Sequence, residues 1–175
     1  MLVNQVILVN ENDEELGSME KIAAHREALL HRAFSVFIFN RKGEMLLQQR
    51  ASNKYHSPDL WTNACCSHPM PGESTADAAH RRLREELGFD TDLDPLFHFI
   101  YKTPFDNGLT EHELDHVFVG VYDGPIQSDP AEVKDFCYMK MEAISESMQR
   151  HQHKYTSWFA IAFPRLEEEM AARQL

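Results

Sequence analysis

Apolar residues fall along this chain in short alternating runs and in one clear helical stripe, and the two periods predict a mixture of strands and helices. Residues 5–9 read as a short strand, and residues 33–40, rich in Phe, Val and Ile, as a longer one. Arg41-Lys42-Gly43-Glu44 supplies a hairpin turn, from which 45–50 pairs back as the partner strand. Residues 11–17 are acidic and turn-like, and the periodicity of 20–30 does not choose between helix and irregular chain. Residues 51–71 form a long connection, which in a compact domain is usually functional.

The helical stripe belongs to residues 74–87. Ser74 stands at a capping position with Asp77 three residues on, Ala76, Ala79, Leu83 and Leu87 form one apolar face, and Gly88 falls where a helix closes. Further on, 96–105 and 113–122 read as strands flanking a loop at Asp106-Asn107-Gly108, and 133–139 as another strand. Residues 141–150 and 158–172 look helical, with Pro164 expected to kink the second or delay its start. No repeat, low-complexity tract or linker interrupts this order. One domain over 1–175 is therefore expected, of α+β (mixed α/β) class, with mixed β-sheets flanked by helices.

Composition narrows the setting. A chain of 175 residues is long enough to bury a sizeable core. No apolar run is long enough to cross a bilayer, and the first residues lack the basic start and cleavage site of a signal peptide. Three cysteines do not make a disulfide framework, so a reducing cytoplasm is the expected compartment. The net charge of −11 argues against a nucleic-acid partner, no membrane partner is expected, and a monomer is the default. The same charge repels an anionic substrate at long range. A phosphate site would have to be built from a local cluster of Lys and Arg, from metal ions, or from both.

Candidate chemistry gathers at Trp61-Thr62-Asn63-Ala64-Cys65-Cys66-Ser67-His68-Pro69. Adjacent cysteines do not bridge each other without strain. Cys66, a potential acid or nucleophile, stands two residues before His68, a potential metal ligand. The helix that follows carries Arg81, Arg82, Glu85 and Glu86 ahead of Gly88, with Glu73 before it. It resembles a degenerate Nudix box, Gly-x5-Glu-x7-Arg-Glu-Val-x-Glu-Glu-x-Gly-Val, because seven residues separate Glu73 from Arg81. Ser67 stands where that pattern has its first Gly, and Arg82 where it has a metal-binding Glu. Arg82 and Glu86 are four apart and share a helix face. The arginine removes a metal ligand and adds a fork-shaped donor suited to a phosphate oxygen. Such a site can hold a diphosphate but is poorly equipped to cleave one. The ordinary alternative is a solvated helix laced by Arg–Glu pairs.

His25, His31, His68, Glu111 and Glu113 are scattered in sequence. Imidazoles combined with carboxylates suit Zn²⁺, Mn²⁺ or Fe²⁺ better than Ca²⁺. Glu111 and Glu113 are two apart, so on a strand both point to one face. A lone histidine is more often structural or exposed, and His56, His80, His98, His112, His116, His151 and His153 are read that way. Cys65 and Cys137 are read as buried structural thiols.

Glu20-Lys21 followed by His25, His31-Arg32-Ala33-Phe34-Ser35, the string at 61–69, Gly72-Glu73-Ser74 and Glu111-His112-Glu113 together resemble type I isopentenyl diphosphate isomerase, over roughly residues 5–158. The Thr-Asn-x-x-Cys-x-His-Pro string is the specific part. The resemblance implies interconversion of isopentenyl and dimethylallyl diphosphate by a 1,3-allylic proton shift. It implies Cys66 and Glu113 as a catalytic pair on opposite faces of the substrate, with Tyr101 and Trp158 near the reacting carbons. It implies Lys21, Arg50, Lys54 and Arg82 as the grip on the diphosphate. It also implies one Zn²⁺ or Mn²⁺ on His25, His31, His68, Glu111 and Glu113, and a Mg²⁺ at Glu86 and the Cys66 carbonyl.

That reaction makes demands the residues can meet. Protonating an unactivated alkene leaves a tertiary carbocation that water would trap. An acid on one face, a base on the other, a dry cavity and an electron-rich ring are required. A free thiol, with a pKa of about 8.5, can act as a neutral donor. Two other readings remain. One is a Nudix hydrolase, against which Arg82 and the Cys66–His68 pair count. The other is a non-catalytic module with Cys65, Cys66 and His68 on a structural zinc, of whose paired spacing only one half is visible.

Overall fold

In the computed structural model, which describes residues 4–173, the chain runs β1 (Gln5–Val9), β2 (Glu15–Glu20), α1 (Lys21–Arg26), β3 (His31–Phe39), β4 (Glu44–Arg50), β5 (Trp61–Thr62), β6 (Cys65–Ser67), α2 (Thr75–Leu87), β7 (Leu93–Pro104), β8 (Thr110–Val121), β9 (Val133–Lys140), α3 (Met141–His151) and α4 (Ser157–Arg173). The nine strands form one mixed sheet, and β3 is its axis. One edge of β3 runs parallel to β8 along its whole length, from His31 opposite Glu113 to Phe39 opposite Val121. Its other edge is shared in turn by β1 at His31, by β6 at residues 34–36 and by β4 at Phe39.

Such a strand must be apolar on both faces, which is what a near-continuous Phe/Val/Ile run supplies. Phe34, Val36 and Ile38 pack on one face against Ala78, Ala79, Leu83 and Leu87 of α2. Phe37 and Phe39 pack on the other against Ile144 of α3 and Phe159, Phe163 and Leu166 of α4. The result is a sheet between two helical layers, which is the expected α+β class.

Helix α2 forms as the sequence predicts. The Ser74 side chain accepts from the Asp77 amide, and Gly88 closes the helix at φ 71°, a left-handed position that favours glycine. Its buried stripe, however, uses Ala78 in place of Ala76, which is exposed. The other differences are at strand partners and boundaries. The acidic 11–17 stretch is a turn only in its first half; Glu15 already belongs to β2, an exposed edge strand, where charged residues discourage further pairing. The undecided 20–30 stretch contains the short helix α1, capped by Glu20, whose carboxylate accepts from the amides of Ile22 and Ala23. The turn between Asn40 and Glu44 forms, but β3 and β4 pair only at Phe39 and Met45 before diverging, because β4 takes β9 and β5 as its partners. Helix α4 begins at Ser157, upstream of Pro164, so the proline does not delay it.

Candidate active site

The site lies where β3, β6 and β8 meet. Side chains alternate along each strand, so Glu111, Glu113 and Asp115 of β8 share one face. On β6, Cys66 sits opposite Ser35 and Cys65 opposite Val36. Val36 belongs to the α2-side core, and Cys65 is buried there with it. Cys66 therefore faces the other way, into a pocket that opens to solvent. Lys21, Arg50, Lys54, Cys66, His68, Arg82, Glu86, Tyr101, Glu111, Glu113 and Trp158 all line that pocket. His25 and His31 lie behind it, fully buried. Every residue given a role by the resemblance is thus brought to one place, whereas Glu73, Arg81 and Glu85 lie outside the pocket lining.

The histidines could hold a metal ion. His25 Nδ1 is 2.6 Å from the Lys21 carbonyl oxygen, and His31 Nδ1 is 2.8 Å from that of Leu29. A carbonyl only accepts, so each Nδ1 carries the proton and each Nε2 is left as a bare lone pair. Both Nε2 atoms are buried with no hydrogen-bond partner among the described residues. Ligand-capable atoms of His25, His31 and His68 lie within 4.8 Å of one another. His68 Nε2 is 3.1 Å and His31 Nε2 3.8 Å from the same Glu113 oxygen, Oε2. Burial brings His31 down to about 4 and His68 well below the usual range, so both imidazoles stay neutral, the form that ligates. Orphaned lone pairs, outer hydrogen bonds to backbone carbonyls and adjacent carboxylates fit a divalent cation.

The carboxylates have a matching problem. Tyr101, opposite Glu113 in the β7–β8 ladder, places its hydroxyl 2.9 Å from Glu111 Oε2 and 2.8 Å from Glu113 Oε1. Burial and then the Glu111 charge push Glu113 well above the carboxylate range. Burial pushes Glu111 the same way, but contact with His56 outweighs it and brings Glu111 down to about 2. Cys66 is also pushed up, by burial, against the opposing pull of Arg50, so it stands as a neutral thiol.

The opposite wall is cationic. Lys21, Arg50, Lys54 and Arg82 converge there in a chain of net charge −11, the local cluster an anionic substrate would need. Burial and then the Lys54 charge lower the Lys21 pKa, a crowding of cations that an anion would relieve. Part of the wall is already partnered. Lys54 and Arg82 both pair with Glu132, and Arg82 also reaches Glu85 and, at 3.0 Å, Glu86 Oε1. The other Glu86 oxygen is buried and without a partner among the described residues, which suits a second cation. Burial raises Glu86 while Arg82 opposes the shift. The Arg50 guanidinium lies over the Trp158 ring, 5.2 Å from its centroid.

Three lining groups had no signal of their own in the sequence. Tyr55 forms a wall under the Lys21 ammonium. Asp115 accepts from Ser35 at 2.7 Å, fully inside the pocket floor. His56, read from the sequence as ordinary, is buried with its Nε2 2.8 Å from Glu111 Oε1. Its one available cue was its place in the long 51–71 connection, two residues after Lys54.

The fold and the site define a NUDIX-domain protein, and residues 29–159 match that domain family. A solved protein of Deinococcus radiodurans superposes with a TM-score of 0.78 at 21% identity, covering 92% of this chain and 98% of its own. The MutT protein of Methanosarcina mazei superposes with a TM-score of 0.67 at 20% identity, covering 80% of this chain and 94% of its own. These likenesses concern the fold alone. The isopentenyl-diphosphate Delta-isomerase of Pectobacterium atrosepticum is 48% identical over 96% of this chain and 94% of its own length. That of Serratia proteamaculans is 46% identical over 88% of this chain and 86% of its own. The chain belongs to the isopentenyl-diphosphate Delta-isomerase family. Among the described residues no helix is long and apolar enough to cross a membrane.

Proposed function

We propose that this protein interconverts isopentenyl and dimethylallyl diphosphate, acting as a single domain in the cytoplasm. The observation that carries this reading is the company kept by Cys66: a half-buried thiol shares one pocket with the Glu111–Glu113 pair and with Lys21, Arg50, Lys54 and Arg82. The four cations hold the diphosphate, which fixes where the hydrocarbon tail can lie. Cys66 and Glu113 flank the tail. One adds a proton to the terminal carbon of the alkene, leaving a tertiary cation, and the other removes a proton from the carbon on the far side of it. Protons gained and lost balance, and the double bond has moved by one position.

Trp158, 3% exposed, closes the pocket and offers its ring to the cation, worth about 2 kcal/mol when desolvated. Tyr101 holds the carboxylates in place. A Zn²⁺ or Mn²⁺ would be held by His25, His31, His68, Glu111 and Glu113, and a Mg²⁺ by Glu86 with the Cys66 carbonyl. When bound, these ions supply positive charge that keeps the carboxylates ionised and neutralises the diphosphate. Arg82 takes one oxygen of Glu86, so the carboxylate cluster of a diphosphate hydrolase is not assembled.

Incubation with isopentenyl diphosphate in D₂O, with divalent metal, followed by NMR, tests this. Deuterium should enter the substrate and dimethylallyl diphosphate should appear; Cys66→Ala and Glu113→Gln should each abolish both. Full activity in the Cys66→Ala protein would end the mechanism, and release of inorganic phosphate would indicate hydrolysis.

A further inference from the structure

His56 stands outside the five residues assigned above to the Zn²⁺ or Mn²⁺ site, and its surroundings do not fit an ordinary core histidine. It is 4% exposed, and its Nε2 has no hydrogen-bond partner among the described residues although it lies 2.8 Å from Glu111 Oε1. At that distance a nitrogen and an oxygen should be hydrogen-bonded. Here the two atoms are close with no hydrogen bond between them. Two donors aimed at one ion have this relationship. Ligands held about 2.1 Å from a common cation and at right angles to each other lie about 3 Å apart, with their lone pairs converging on the ion and not on each other. The ligand-capable atoms of His25, His56 and Glu111 all fall within 4.8 Å of one another.

The ring is also held for the purpose. It stacks on Phe105 at 4.6 Å with 8° between planes, and Trp158 meets it edge-on at 5.7 Å. Arg50 grips the backbone here, donating to the carbonyls of His56 at 3.1 Å and Ser57 at 3.2 Å. The next residue, Ser57, is left-handed at φ 51°, a strained position that persists only where the surroundings impose it. His56 Nδ1 is 3.2 Å from the Ser57 hydroxyl, which can accept its proton and leave Nε2 as a lone pair, as the carbonyls do for His25 and His31.

We propose that His56 is a further ligand of the cation held by the His/Glu cluster, binding through Nε2 beside Glu111. This rests on the cation site of the proposed function and adds one residue to it. It also gives the 51–60 segment a role: Arg50 on the diphosphate side and His56 on the metal side are tied together through one backbone, so binding at one end fixes the other.

The test uses the whole protein, stripped with a chelator and reloaded with Co²⁺, whose unpaired electrons shift the ring N–H protons of any bound imidazole far from the rest of the spectrum. Wild type, His56→Ala, His56→Gln and His25→Ala are compared by chelator competition and by proton NMR. Both His56 variants should bind Co²⁺ about 10- to 100-fold more weakly and show one fewer far-shifted exchangeable N–H signal. A measurement on unsubstituted protein guards against misfolding: in ¹⁵N-histidine-labelled wild type, Zn²⁺ should move the His56 Nε2 signal together with those of His25 and His31. Wild-type affinity and signal count in the His56 variants, or a His56 nitrogen unmoved by Zn²⁺, overturns the proposal. If His25→Ala also binds Co²⁺ as wild type does, the cation site itself is wrong, a separate failure.

Discussion

The hydroxyl of Tyr101 lies 2.8 Å from Glu113 Oε1 while also lying 2.9 Å from Glu111 Oε2. A phenol has one proton and can donate to only one of them. Two buried carboxylates around one hydroxyl oxygen therefore share a proton when no cation is present, and they titrate as a pair. Burial and the Glu111 charge place that proton on Glu113.

Tyr101→Phe keeps the ring and removes the clamp. A hydrogen bond to a charged group contributes about 1.5–3 kcal/mol, so kcat should fall about 10- to 100-fold, with KM little changed because the diphosphate is held on the opposite wall. Steady-state kinetics decide. A raised KM at unchanged kcat would make Tyr101 a binding residue, with no part in orienting the carboxylates.

Arg82 has two tasks on one side chain, balancing buried Glu86 at 3.0 Å and facing the pocket. Breaking a fully buried pair costs roughly 3–5 kcal/mol. The Arg82 side chain is 18% exposed, so Arg82→Ala should cost less, about 2 kcal/mol in urea unfolding, and should raise KM for the diphosphate. Arg82→Lys should recover stability better than KM, since an ammonium keeps the charge without the fork. Equal recovery of both would remove the bidentate grip from the account.

What could be read from the chain follows from the range of the interactions involved. Helix α2 was legible because its cap, its stripe and its terminal glycine are all local. The gathering of the candidate site was legible because Cys66 and His68 sit in one short string and Glu111 and Glu113 share a strand face. The partners of β3 were not, since nothing in 33–40 says that its ladder runs to Val121, about eighty residues away, and not back along β4. The six-residue helix α1 is too short to display a period and depends on the Glu20 cap. His56 was missed because one histidine in a loop carries no spacing; only the fold turns it toward Glu111.

Glu73 links the 67–73 segment to α2. Its carboxylate accepts from Arg81 Nε at 2.7 Å and Nη2 at 2.9 Å, and from the Met70 amide at 2.9 Å. The Arg81 bond, the largest influence, holds Glu73 below the usual carboxylate range. A folded-state pKa that is depressed adds stability above the unfolded value of about 4.3, and loses it as pH falls through the folded value. Glu73→Gln should therefore cost under about 1 kcal/mol at pH 7, since the pair is near the surface, and progressively less as pH falls through the folded value. Urea midpoints across that range check it. A gap that persists in acid would mean the loss is steric.

Removing metal should soften the protein more than any of these substitutions. Without a cation, the Nε2 atoms of His25 and His31 are buried lone pairs with no partner among the described residues, and Glu111 and Glu113 face each other across Tyr101. A ligand of the folded state present at a thousand times its Kd contributes about 4 kcal/mol. A chain of this size shifts by about 2–4 °C per kcal/mol, so chelation should lower Tm by roughly 10 °C, and Zn²⁺ or Mn²⁺ should restore it. Ligands must be free of protons to bind, so the gain should shrink as pH falls. His25→Ala protein should melt at one temperature with or without metal. If instead it keeps the full metal-dependent gain, the cation that stabilises the fold is held elsewhere, and the cluster behind the pocket has another purpose.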